Sequence, residues 1–171
     1  MGRSLDVTIL YGYDLGGPED GWKFNKAGKY ETAWPSWVKL NDEGYPDDSE
    51  DEGFAHQADE YLLREMAGFT EEWDDSSDSG YFTRKKAAEQ AVGLDRLVFD
   101  SRGASYDYDQ WAFGVKLGSG YDILEIDRAW FDPATLHSYD SILKRAIALM
   151  QLEFDPAEQP GPRVLALVSF F

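Results

Sequence analysis

Leu5-Asp6-Val7-Thr8-Ile9-Leu10-Tyr11-Gly12-Tyr13 places Leu5, Val7, Ile9, Tyr11 and Tyr13 at every second position. A period of two over that length predicts a β-strand with one well-buried side. Asp14-Leu15-Gly16-Gly17-Pro18-Glu19-Asp20-Gly21 comes next, and its glycines and proline predict a loop. A strand needs partners, and the later chain offers them. Leu94–Asp100, with Leu97, Val98 and Phe99, reads as a strand. Gln110–Leu117 and Tyr121–Asp127 read as a hairpin turned by Gly118-Ser119-Gly120. Val164-Leu165-Ala166-Leu167-Val168 has no alternation and predicts a strand buried on both faces.

Helical spacing fills the intervals. Ala58, Tyr61, Leu62 and Met66 share one face of a predicted helix over Ala55–Ala67, which Gly68 closes and Phe69 folds back upon. Tyr81, Lys85, Ala88 and Val92 share a face of a second helix, which Gly93 stops. Its first turns carry Arg84-Lys85-Lys86, the wrong sign for the positive end of the macrodipole, so a nearby carboxylate is expected. Asp132-Pro133 supplies an N-cap and a first-turn proline for the longest helix. Leu136, Tyr139, Leu143, Ala146, Ile147, Met150 and Phe154 mark one side of it, and Asp155-Pro156 is expected to end it. Ala33-Trp34-Pro35-Ser36-Trp37-Val38 is too proline-interrupted for a central strand and reads as a loop or edge packed by its tryptophans. The expected order is β-α-α-β-β-β-α-β. That is a single α+β (or α/β) domain with a mixed sheet of about five strands and three helices.

Composition narrows the function. The 171 residues are 43% hydrophobic and 15% aromatic, a globular balance, and long enough for one well-buried core. Cysteine is absent, so disulfides and thiolate metal sites are excluded. No apolar run reaches the roughly 18 residues of a membrane span, and residues 1–6 have no apolar signal-like core. A cytoplasmic protein is the expectation. The net charge of −17 opposes direct binding to nucleic-acid phosphates or to anionic membranes, and it favours a basic protein surface as partner.

That charge is concentrated. Between Asn41 and Gly80 lie fifteen carboxylates and one base, Arg64, so this segment holds −14 of the −17. Residues 41–53 and 70–80 predict two acidic mobile loops flanking the first helix. Acid runs are commonly only a solubilising surface. The alternative is an acidic face that imitates the charge density of a nucleic-acid strand and fills a basic groove. The candidate contacts are Asp47, Asp48, Glu50, Asp51, Glu52, Asp59, Glu60, Trp73, Asp74 and Asp75, with aromatics among the charges as anchors.

Catalytic patterns are sparse. His56 and His137 lack the H-E-x-x-H spacing of a zinc site, and no G-x-S-x-G elbow or cysteine supplies a nucleophile. Gly12, Gly16 and Gly17 follow a strand without a phosphate-loop motif. Asp48, Glu50, Glu52 and Gly53 partly match a calcium loop, but Asp59 stands where its closing glutamate belongs, so no metal and no cofactor are expected. The second functional reading is a small enzyme or ligand-binding domain. Its nucleotide or metabolite site would lie at the end of the first strand, around Tyr11, Tyr13, Asp14 and Trp22.

Tyr11-Gly12-Tyr13-Asp14-Leu15-Gly16-Gly17, followed by Gly21-Trp22, resembles the opening of a family of small acidic actinobacterial and actinobacteriophage proteins. Gly68-Phe69-Thr70-Glu71, Gly80-Tyr81-Phe82 and Ala88-Glu89 are similar to the family's later layout, so the likeness spans roughly the first half of the chain. The resemblance implies a bacterial or phage cytoplasm, where small acidic proteins inhibit nucleic-acid enzymes, and it carries over no catalytic residue.

Overall fold

The computed structural model describes residues 5–18, 20–28, 31–47, 53–73, 80–102, 110–121 and 124–170. Its centre is β1 (Leu5–Gly17), four residues longer than the alternation predicts. One edge of β1 pairs with β4 (Gln110–Tyr121) along nearly its whole length. The other edge is shared, taking β5 (Arg163–Phe170) along Leu5–Gly12 and the two-residue β2 (Gly21–Trp22) at Gly16 and Gly17. β3 (Leu97–Arg102) completes the sheet on the far side of β4. Every pairing is antiparallel, which corrects the expected mixed sheet. The fold is α+β, with three helices and five strands among the described residues.

Three strand expectations change. Gly118-Ser119-Gly120 turns no hairpin; β4 runs straight through it, and the fifth strand is β2 instead. The glycine there serves packing, because the Trp130 ring lies where a Gly118 side chain would stand. Leu94–Arg96 forms a 3-10 turn, and β3 starts only at Leu97. β5 is not buried on both faces: Val164 and Val168 are 37% and 40% exposed. It borders the sheet and, among the described residues, has β1 alone as a strand partner.

β1 does more than alternate. Thr8 and Leu10, on the face opposite Tyr11 and Tyr13, are both fully buried. The sheet curls over them until β3 and β5, which are not paired, touch. Gly12 and Gly114 face each other across the β1–β4 ladder at the sharpest approach. A Cβ on Gly12 would sit 2.1 Å from the Phe113 carbonyl oxygen, and one on Gly114 would sit 2.4 Å from that of Tyr11. Only residues without side chains let the two backbones come so close.

The helices cover the other face. α1 (Phe54–Ala67) buries Ala58, Leu62 and Met66 as its periodicity predicts, leaves Tyr61 half-buried, and buries Phe54, Gln57 and Leu63 besides. It ends at Gly68 in the left-handed conformation, with Gly68 and Phe69 amides donating to Arg64 and Leu63 carbonyls. α2 (Tyr81–Val92) buries only Tyr81, and its Arg84 has the expected carboxylate partner in Glu71, at 2.6 Å. α3 (Pro133–Leu149) starts where Asp132 accepts from the Thr135 amide at 2.9 Å. It stops short of the expected Asp155 because Gln151 turns to φ 57°, and the Leu152 amide closes back on Ile147. That turn frees Phe154 to bridge Phe24 and stack on Tyr13. Phe24, fully buried, meets Trp22, Trp34 and Phe54 in one aromatic cluster. Trp37 closes it, stacking on Tyr61 and donating from its indole N–H to the Met150 carbonyl.

Candidate functional site

The acidic segment is anchored by one side chain. Gln57 of α1 is buried; its Oε1 accepts from the Lys39 amide at 2.7 Å, and its Nε2 donates to the carbonyls of Lys39 and Asp47. Asn41 Oδ1 accepts from the amides of Glu43 and Tyr45. Residues 41–47, expected as part of a mobile loop, are thus a hydrogen-bonded turn clamped onto α1, with Asp47 at its end. Asp48, Glu50, Asp51, Glu52, Asp74 and Asp75 lie outside the described residues.

On α1, Asp59 and Glu60 diverge. Glu60 is exposed and stands 3.4 Å from His56, one turn back. Asp59 turns towards α2. With Leu62 and Leu63 it lines a cleft of about 200 Å³ closed by Lys85 and Glu89 of α2, by Leu94 and Asp95, and by Leu97 of β3. Asp59 remains exposed at the mouth of the cleft, yet the atoms crowded about its carboxyl exclude enough water to push it up to about 6; the charge of Glu89 adds to the rise, while Lys85 and His56 pull the other way. An acid whose folded value is raised holds its proton more tightly when folded. The stabilisation that this one group contributes is therefore full below the ordinary value of 3.8 and is lost as pH rises through about 6. Asp59→Asn should melt higher than the parent at about pH 7.5 and equally at about pH 4, as followed by circular dichroism.

Beyond α1, aromatics stand out of the charge. Trp73 is 69% exposed and Phe82 58%, with ring centroids 5.5 Å apart at nearly a right angle. Buried Tyr81 packs beneath both, and Phe69 supports Tyr81 from the other side. The Glu71–Arg84 pair ties the segment before Trp73 to α2. This aromatic pair rests on a built base.

The four first-strand candidates do not converge. Tyr11 and Tyr13 face the helices, where Tyr11 Oη donates to Asp140 Oδ1 at 2.8 Å. Burial pushes the Tyr11 phenol up to about 12, and the bond to Asp140 and its charge add to the rise. Asp14 faces the other way. Its carboxylate accepts from the Gly16 amide at 3.0 Å and pairs with Lys23 Nζ at 2.5 Å, with Arg163 at 3.5 Å. Buried Gln159 accepts from the Asp14 amide and donates to its carbonyl, so Asp14 knots β1, β2 and β5 together. Trp22 belongs to the aromatic cluster.

Two features escape the sequence reading. Asp140 Oδ2 also lies 2.8 Å from His137 Nδ1, bringing Tyr11, Asp140 and an exposed histidine together. The His-x-x-Asp spacing on a helix was the available signal. An open cleft of about 670 Å³ also lies between residues 23–36 and 151–155. Trp34, Pro35 and Phe154 line it among Lys23, Lys26, Glu153 and Asp155. Its two halves are stitched by Asn25, whose side chain donates to the carbonyls of Ala33 and Gln151 and accepts from the Glu153 amide. Among the described residues, no three histidine, aspartate or glutamate side chains gather as metal ligands, and no helix is long and apolar enough to cross a membrane. No protein-family model, curated protein or solved structure matches the chain.

Proposed function

We infer that this is a non-enzymatic acidic binding protein that occupies a basic, nucleic-acid-binding surface of a partner protein and so acts as an inhibitor. The observation that carries the reading is the Trp73–Phe82 pair, two large rings left in solvent over buried Tyr81 beside an acidic segment. Solubility alone gives no reason to expose them, whereas aromatic anchors dominate interface energetics. Charge then brings a basic partner in, and the rings hold it.

Immobilised protein would be incubated with cell lysate and washed with duplex DNA or with salt. Nucleic-acid-binding proteins should be captured and then released by either wash. Replacing Asp47, Asp48, Asp51 and Glu52 by lysine should abolish capture, and Trp73→Ala should weaken it by about thirtyfold, the loss of roughly 2 kcal/mol at a hot spot. Capture indifferent to DNA and to these changes would overturn the inhibitor reading.

The cleft beside Lys23 supports the second reading, a ligand-binding domain, because its volume falls in the roughly 300–1,000 Å³ range of small-molecule sites. It adjoins the end of β1 through the Lys23–Asp14 pair and through Phe154 stacked on Tyr13. A nucleotide or metabolite seated there should raise the melting temperature. A thermal-shift series with nucleotides that moves nothing would remove this alternative.

A further inference from the structure

The two non-glycine residues with left-handed backbone among the described residues are Asn25, at φ 45°, and Gln151, at φ 57°. They stand on opposite walls of the open cleft beside Lys23, and the Asn25 side chain joins them, its Nδ2 donating to the Gln151 carbonyl at 2.9 Å. Glycine would relax both positions. Just past the cap of α3, where Gln151 lies, glycine is the usual occupant. A side chain is therefore kept at each position against the preference of the backbone. That of Asn25 stitches the walls together. That of Gln151 lines the cleft without a protein partner among the described residues, as do the Ser36 hydroxyl and the Glu153 carboxylate.

The rest of the lining sets the chemistry. Trp34 and Phe154, one from each wall, meet the buried Phe24 ring at 73° and 72°, so one core ring fixes the planes of both. Fixed aromatic faces suit a flat ring system. The ammonium groups give less than their number suggests, because Lys23 is paired with Asp14, and Lys26 with Glu158 at 2.7 Å. Glu153 and Asp155 line the other wall, so a chain of phosphates would meet more carboxylate than free ammonium. A vicinal diol can instead give both its hydrogens to the unpartnered Glu153 carboxylate. We propose that this cleft takes a nucleoside bearing at most one phosphate, its base on Trp34 and Phe154, Gln151 at the edge of that base, and its ribose diol on Glu153. This rests on the second reading above, a ligand-binding cleft, and names the ligand class for it. At about 670 Å³ the space accepts a base and a sugar together.

The probes are adenosine, AMP and ATP, titrated into the whole chain and followed by amide NMR. Adenosine and AMP should give saturable shifts centred on Asn25, Trp34, Ser36 and Gln151, and ATP should bind about tenfold more weakly than AMP or worse. 2′-Deoxyadenosine should bind about tenfold more weakly than adenosine, the worth of a hydrogen bond to a charged group, and Glu153→Gln should remove most of that difference. Gln151→Gly should melt higher than the parent, because the left-handed backbone is relaxed, yet bind adenosine about fivefold more weakly. A merely structural Gln151 would give the first effect without the second. The same spectra report whether each variant is folded. If ATP binds as tightly as AMP, or adenosine no better than its 2′-deoxy form, the nucleoside assignment falls and the ligand-binding cleft stands. If all three probes leave the spectra unchanged, the assignment and the cleft reading fall together.

Discussion

Gly12→Ala should cost the protein several kcal/mol, about 4 or more, and lower its melting temperature by on the order of 10 °C. The added methyl would lie 2.1 Å from the Phe113 oxygen and 2.5 Å from the Gly114 Cα, both backbone atoms of β4. Neither can rotate aside as a side chain would, so β1 and β4 would have to part where their ladder is continuous. Separation there also opens the curl that buries Thr8 and Leu10. Gly161→Ala is the matched control, since a Cβ there meets nothing within 4 Å. It should change stability by less than about 1 kcal/mol. Equal melting of the two variants would show that the β1–β4 approach is not as close as described.

Phe24→Ala should be nearly as damaging, at about 3–5 kcal/mol. Its ring is fully buried and touches rings from four separate segments: Trp22, Trp34, Phe54 and Phe154. Among the described residues, sheet hydrogen bonding joins these parts of the chain sparsely, by the Phe24–Phe154 and Lys26–Thr32 bridges and the two-residue β1–β2 pairing. A void there cannot be closed by moving one element, so most of the cavity cost would persist. Urea unfolding followed by tryptophan fluorescence suits the test, because Trp22 and Trp34 would report directly. A loss below about 1 kcal/mol would mean that the cluster collapses onto the gap, and that α1 is held by its contacts with α2 and α3 instead.

The helices were legible in the sequence because two signals coincided. Ala58, Tyr61, Leu62 and Met66 set the period of α1 while Gly68 marked its end, and Asp132-Pro133 did the same for the start of α3. The strands were less so. Gly118 carries turn chemistry but sits in β4 to make room for Trp130, a contact that no local pattern announces. β5 lacks alternation because Leu165 and Leu167 turn into the curl while Val164 and Val168 stand in solvent. Continuous apolarity was therefore mistaken for burial on both sides. At the candidate sites, charge and exposed aromatics could be listed from the sequence, but partnership could not. Tyr11 meets Asp140 and Asp14 meets Gln159 across most of the chain, and Asp59 needs α2 and the Leu94 turn to become part of a cleft.

The position of β1 in the sheet has a consequence for how the chain acquires its shape. β1 is made early, yet its partners are Phe113 opposite Tyr13 and Val168 opposite Val7. During synthesis this aliphatic strand stays unpaired while the acidic segment and two helices emerge behind it. Closing loops of that length makes folding slow and leaves an adhesive edge open in the meantime. The carboxylates that follow β1 in the chain would keep nascent molecules apart over that interval by mutual repulsion.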